Sequence, residues 1–348
     1  MSVDTKRGLT QPLLMETQAT KTTKNPWVWH PELPISTDPV LVWPPQPISI
    51  LKFYFGKGFL FSQNLAYILL AILSWFYLAP SMDRWSTFAL DWILELYLLN
   101  MTCTVLLAGS LHLYFHTFRR QSEHKYDPHE LDRNNPKFLF NNQVWDNIFW
   151  TCASGVTVWT AYQVIVMWAY ANGIAPWLGW EDNPIFFVLL FPLLMAWESL
   201  HFYLNHRLLH WRPLYRVAHA LHHRNIVVGP WSGFSMHPIE HLLYFSCIFI
   251  FFIVASHPIH MFFLMYHTAL AAITSHTGYD DLTVNGKSAL KLGFFFHQLH
   301  HRYFDCNFGT VNVPCDRWAG SMHDGSPEAT EALRAEQKRR RQARRDSD

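Results

Sequence analysis

Four stretches of this sequence are apolar for long enough to cross a bilayer, and they restrict the fold more than any other feature. They run roughly over 60–80, 88–115, 148–171 and 185–204. Each is near the twenty or so residues that a hydrocarbon layer about 30 Å thick demands of a helix rising 1.5 Å per residue. Pro80 with Asp83 and Arg84 closes the first run, Asn172-Gly173 ends the third, and Asn183-Pro184 precedes the fourth. Two further runs, 242–255 and 259–273, break at Ser256-His257-Pro258 and are short for a full crossing. They predict a membrane hairpin that returns the chain to the side it entered. The charged fraction of 15%, against about 25% in soluble domains, agrees with a chain that lives largely in lipid. The expected fold is therefore all-α: a polytopic membrane protein with about four transmembrane helices, a short membrane hairpin and a helical cap. The predicted divisions are an irregular lead-in over 1–59, transmembrane helices over 60–204, a histidine-rich cap over 205–325 with the hairpin at 242–273, and a charged tail over 326–348.

Basic residues set the expected orientation. Six Lys or Arg precede the first run and five (Arg119, Arg120, Lys125, Arg133, Lys137) lie between the second and third, whereas none lies between the third and fourth. The two basic segments are expected to face the cytosol. Four crossings bring the chain back to that side at His206, where Arg207, Arg212, Arg216 and Arg224 continue the bias. A net charge of +1 with the one basic run in the tail argues against nucleic acid as a partner. Five cysteines without a CxxC spacing argue against a disulfide framework or a zinc ribbon.

Histidine is the outlier: 15 of the 21 copies fall between His201 and His301. HRLLH places His206 and His210 one helical turn apart. HALHH places His219, His222 and His223 at i, i+3 and i+4, and HQLHH repeats that spacing with His297, His300 and His301. Crowded imidazoles must be desolvated and repel one another when protonated, so packing alone does not explain them. A metal ion compensates them. The eight nitrogens exceed what one ion of coordination number four to six accepts, so two ions follow from stoichiometry. His276, in SHTGYD, is favoured as a further ligand. His237 is expected to cap a helix beginning at Pro238, with His241 in its first turn; both remain open between ligand, supporting partner and plain structural residue. His201 is turned about 140° from the HRLLH face. Glu198, Glu240, Asp280 and Asp316 are candidates to receive the second ring N–H of a ligand. His112, His257 and His260 read as hydrogen-bonded core residues.

The order HRLLH, HALHH, MHPIEH, HTGYD, HQLHH and NFGTVNVPCDRWAGS resembles the fatty acid hydroxylase and sterol desaturase superfamily of membrane oxygenases, over roughly Pro184 to Ser321. That resemblance implies a cytosol-facing centre of two iron ions that uses O2 as co-substrate to hydroxylate or desaturate a C–H bond of a membrane lipid. Carried onto this chain, the implied metal ligands are His206, His210, His219, His222, His223, His276, His297, His300 and His301. His201, His237, His241 and Glu240 are additional ligand or supporting candidates, and His237, Pro238 and Glu240 match the family's HPxE element. No catalytic side chain beyond the metal ligands is implied. Cys315 stands where relatives often carry an aromatic residue.

By analogy, sterol-like substrates rank slightly above fatty acyl or sphingoid chains and enter laterally from the bilayer, with Trp197, Phe202, Tyr203, Trp211, Trp231 and Phe234 as candidates to line their path. The chain has no flavin or nicotinamide fingerprint, so electrons are expected from an external donor, a cytochrome or ferredoxin with its reductase, docking through residues such as Arg119, Arg120 and Lys125. Zinc can replace iron in recombinant protein, because it follows iron in divalent affinity order. The expected location is the endoplasmic reticulum in a eukaryote or the inner membrane in a bacterium. Two other readings compete: a haem-binding membrane electron carrier and a divalent-metal transporter.

Overall fold

The computed structural model describes residues 27–347, so most of the first half of the lead-in lies outside the described residues. A short helix α1 (Pro47–Tyr54) precedes α2 (Gln63–Leu78), α3 (Leu90–Thr117), α4 (Gln143–Ala171) and α5 (Pro184–Leu209). α6 covers 212–223 and carries the HALHH cluster. The hairpin consists of α7 (Pro238–Phe252) and α8 (Pro258–Ser275). A two-stranded antiparallel ribbon follows, β1 (Asp281–Val284) and β2 (Lys287–Lys291), then α9 (Phe295–Tyr303) and α10 (Pro327–Ser347).

Helix starts are written locally. Ser62, Asn142 and Asn183 accept hydrogen bonds from backbone N–H groups of the first turns of α2, α4 and α5. His237 and His257 do the same for α7 and α8, each followed by a proline whose missing N–H costs nothing at that position. His257 and His260 are thus structural, with His260 also bonded to the Phe187 carbonyl at 2.8 Å.

α3, α4 and α5 are long and apolar enough to cross a membrane, while the first apolar run forms the shorter α2. α8 is the axis of the bundle, buried from Pro258 to Thr274 apart from His267 and Ala271. Tyr266 on α8 meets Ser74 of α2 at 2.6 Å and packs edge-on against Trp159 of α4. Asn100 of α3 donates to Thr160 and Gln163 of α4 at 3.0 Å, a polar joint of the kind that holds helices together in lipid. The outer sides carry exposed rows such as Leu94, Leu98 and Leu106 on α3 and Ile185, Val188 and Leu193 on α5, the apolar surface a bilayer would cover. α7 folds back along α8, with the Tyr244 hydroxyl donating to the Thr268 carbonyl at 2.7 Å.

Candidate metal centre

The nine histidines that the motifs single out converge at the end of the bundle where α5 ends, α8 ends and α6 and α9 lie. They form two groups. His206, His210, His219, His223 and His300 make one, and His222, His276, His297 and His301 the other; within each, the candidate ligand nitrogens lie within 4.8 Å of one another. Helical spacing explains the division. In both HxxHH clusters the i and i+4 rings share a face and join the same group, while the i+3 ring turns to the other.

The hydrogen bonds show what these rings can hold. His206 Nδ1 donates to the Phe308 carbonyl at 2.6 Å, His300 Nδ1 to Cys306 at 2.6 Å, His276 Nδ1 to Ala272 at 2.9 Å and His222 Nδ1 to Ser235 at 3.3 Å. A carbonyl oxygen only accepts, so these four rings carry their proton on Nδ1 and turn a bare Nε2 inward. His219 Nδ1 meets Glu240 Oε1 at 2.7 Å. Inside the first group, Nε2 atoms approach at 3.0 Å (His206 and His219), 3.1 Å (His210 and His223), 3.2 Å (His210 and His300) and 3.0 Å (His223 and His300). In the second they approach at 3.0 Å (His276 and His301) and 3.2 Å (His297 and His301). Two nitrogens each about 2.1 Å from one ion and at right angles lie about 3.0 Å apart. Facing lone pairs at these separations repel unless a cation sits among them, so the donor set fits a metal ion in each group.

Electrostatics point the same way. Burial first and neighbouring imidazoles second hold His219, His223, His297, His300 and His301 well below the usual histidine range. His210 is pushed down to about 2, His276 to about 3 and His222 to about 4, burial leading in each case. Neutral imidazole is the form that ligates metal.

Loops fix the rings from outside. Asp316 accepts from the backbone N–H groups of Phe308 and Gly309 at 3.0 and 2.7 Å, which holds the NFG turn whose Phe308 carbonyl receives His206, directly after Cys306, whose carbonyl receives His300. Asn225 accepts from Gln143 and Asn147 of α4 at 2.9 Å and donates to the His222 carbonyl, pinning the end of α6.

The remaining candidates lie elsewhere. His201 meets the Ser246 hydroxyl, His241 meets Ser154 Oγ and the Phe234 carbonyl, and His237 caps α7; none of the three joins either group. Among the four carboxylates proposed as ring partners, Glu240 alone bonds a clustered histidine. Asp280 accepts from Tyr126 and Lys291, Asp316 takes backbone N–H groups and Ser321, and Glu198 faces His267. Cys315 is buried beside Tyr203 and Phe308.

A cavity of about 500 Å³ opens against both groups, touching His206, His219, His222, His276 and His297. Of the six aromatics expected along a lipid path, only Phe202 lines it. Trp231 and Phe234 are buried in the core, Trp211 is exposed, Trp197 donates to the Cys247 carbonyl and Tyr203 packs under the NFG turn. Sequence spacing could not reveal the carbonyl partners, since backbone atoms leave no signature, and it passed over His267, which belongs to none of the clusters.

Residues 191–321 match the family model described as fatty acid hydroxylase. A Delta(7)-sterol 5(6)-desaturase of Gibberella zeae is 30% identical over 151 residues, 42% of this chain and 46% of that protein. The Saccharomyces cerevisiae Delta(7)-sterol 5(6)-desaturase is 31% identical over 123 residues, 34% of this chain and 32% of that protein. Methylsterol monooxygenase 1 of Gallus gallus is 28% identical over 148 residues, 41% of this chain and 49% of that protein. The chain thus spans under half the length of these curated relatives. No solved structure matches it.

Proposed function

Because residues 191–321 place this chain in the fatty acid hydroxylase and sterol desaturase superfamily, we propose that it is a membrane oxidoreductase that hydroxylates or desaturates a lipid. The observation that carries this reading is the pair of histidine groups, in which His206, His219, His222, His276 and His300 are anchored outward through Nδ1 and the Nε2 atoms converge. Two iron ions are assigned, one to His206, His210, His219, His223 and His300, the other to His222, His276, His297 and His301. When bound, they supply the O2-dependent oxidation of an unactivated C–H bond, which consumes two electrons and two protons and yields an alcohol and water, or an alkene and two waters.

The chain's own residues provide position. The carbonyls of Phe308, Cys306 and Ala272 and the carboxyl of Glu240 lock ring orientation, as outer partners of metal-bound histidine do. Phe202, stacked on His206 with ring centroids 4.9 Å apart, lines the cavity beside the five-histidine group. Membrane lipid, sterol-like by the relatives' names, is the proposed substrate. Electrons come from an external cytochrome or ferredoxin with its reductase, and the centre faces the cytosol. A haem carrier fits less well, because five and four converging rings occupy the directions a porphyrin plane needs.

The test is iron content of purified protein together with a lipid extract compared between cells expressing the wild type and cells expressing His300→Ala. Two irons per chain and an oxidised lipid present only with the wild type are expected. An iron-replete wild type that leaves the lipid profile unchanged would overturn the reading; zinc alone in a recombinant sample would not count against iron.

A further inference from the structure

The cavity continues past the histidines toward the membrane-spanning part, where it meets a carboxyl group that the protein leaves unserved. Glu198 lies on α5 eight residues before His206, about 12 Å along the helix. The residue is 8% exposed and lines the cavity. Among the described residues its carboxyl makes no hydrogen bond, and its polar neighbour, His267 Nε2, stands at 3.7 Å, beyond hydrogen-bond reach.

His267 cannot fill the need as oriented. Its Nδ1 donates to Asn64 Oδ1 at 2.9 Å, and Asn64 is held in that sense by its amide nitrogen on Met195 Sδ at 3.5 Å. With the ring neutral, Nε2 is then an acceptor facing another acceptor across the cavity wall. Ionisable groups left open within a membrane span are costly, and they mark contacts with something that passes there.

We propose that Glu198 and His267 form the subsite for the hydroxyl group of the lipid, an inference that rests on the oxygenase reading. A hydroxyl oxygen about 2.8 Å from both atoms fits the gap, and its single proton is given to one acceptor or shared between the two in a three-centre bond. An acyl carboxylate or ester brings only more acceptors, so the subsite selects alcohols over fatty acids. The hydroxyl then sits about a dozen ångströms of helix from the metal groups, and the carbon presented for oxidation is remote from it.

The test uses the full-length, iron-loaded protein in lipid nanodiscs and titrates binding by tryptophan fluorescence with two probe pairs, cholesterol against cholest-5-ene and hexadecan-1-ol against hexadecane, plus palmitate. At least one alcohol should bind about tenfold or more tighter than its hydrocarbon, the worth of a hydrogen bond to a charged group. Glu198→Ala and His267→Phe should bring that ratio near one, and Glu198→Gln should keep much of it, all with iron content unchanged. Ratios near one for both pairs in the wild type, ratios that survive Glu198→Ala and His267→Phe alike, or palmitate binding better than hexadecan-1-ol would overturn the subsite. Absence of lipid oxidation by the iron-loaded protein would instead count against the oxygenase reading and leave these ratios measurable.

Discussion

Glu240 orients His219 through a 2.7 Å contact, and its second oxygen is buried with no partner. Glu240→Gln keeps the volume and weakens the grip on the ring. It should lower iron affinity of the five-histidine group by about 10–100-fold without unfolding the chain, as loss of such an outer partner does; competitive chelator titration measures it. The same crowding sets the acid limit. His222 and His276 are lowered to about 4 and about 3, whereas unfolded histidine titrates near 6.5. The unfolded state binds more protons between those values, so stability is whole above about pH 6.5 and falls as pH drops toward 4 and 3. Each protonation also removes a ligand. Iron retention after dialysis should therefore hold near pH 7 and collapse by about pH 4, and retention unchanged across that window would contradict neutral imidazole ligation. At this scale the sequence was informative where chemistry follows spacing. HxxHH states which rings share a face, and its six histidines are brought together with His206 and His210 of HRLLH and His276 of SHTGYD. It was silent on Ala272, Cys306 and Phe308, because they act through carbonyls that any residue owns.

Among the elements, α8 carries the most responsibility, since it is the bundle axis and ends at His276. The turn before α7 lies hard against it. A Cβ built on Gly233 would strike the Ala272 carbonyl and come within 2.7 Å of His276 Nδ1, the two atoms whose hydrogen bond orients that ring. Gly233→Ala should therefore displace His276 and empty the four-histidine group, while the five-histidine group keeps its ion. One iron per chain with the helical circular dichroism intact is the expected result. Element types were legible, because apolar runs, Pro-led starts and Asn caps all carry signatures in the chain. Lengths were less so: the first apolar run yields a helix shorter than its neighbours, since Ser62 caps its start and the chain turns extended at Ala79 before Pro80. The small β-ribbon after HTGYD also went unforeseen, although Asn285-Gly286 at its turn, both with positive φ, is a hairpin signal.

Taken whole, the molecule is a helical membrane bundle whose histidine centre sits at one end, and its sidedness is open to direct measurement. The loop between α4 and α5 lies at the far end from His206. An acceptor site for glycosylation inserted at 173–182 should be modified in a eukaryotic membrane, and one placed after Ser326 should not; the reverse pattern would place the centre on the other face. The central claim is that two metal ions are held by histidine nitrogen alone. X-ray absorption and elemental analysis of the purified protein test it most directly. The account predicts two irons per chain in a nitrogen-dominated shell, with His297→Ala losing one site and His219→Ala weakening the other. A single iron, a sulfur-containing shell, or two irons that survive both substitutions unchanged would contradict it.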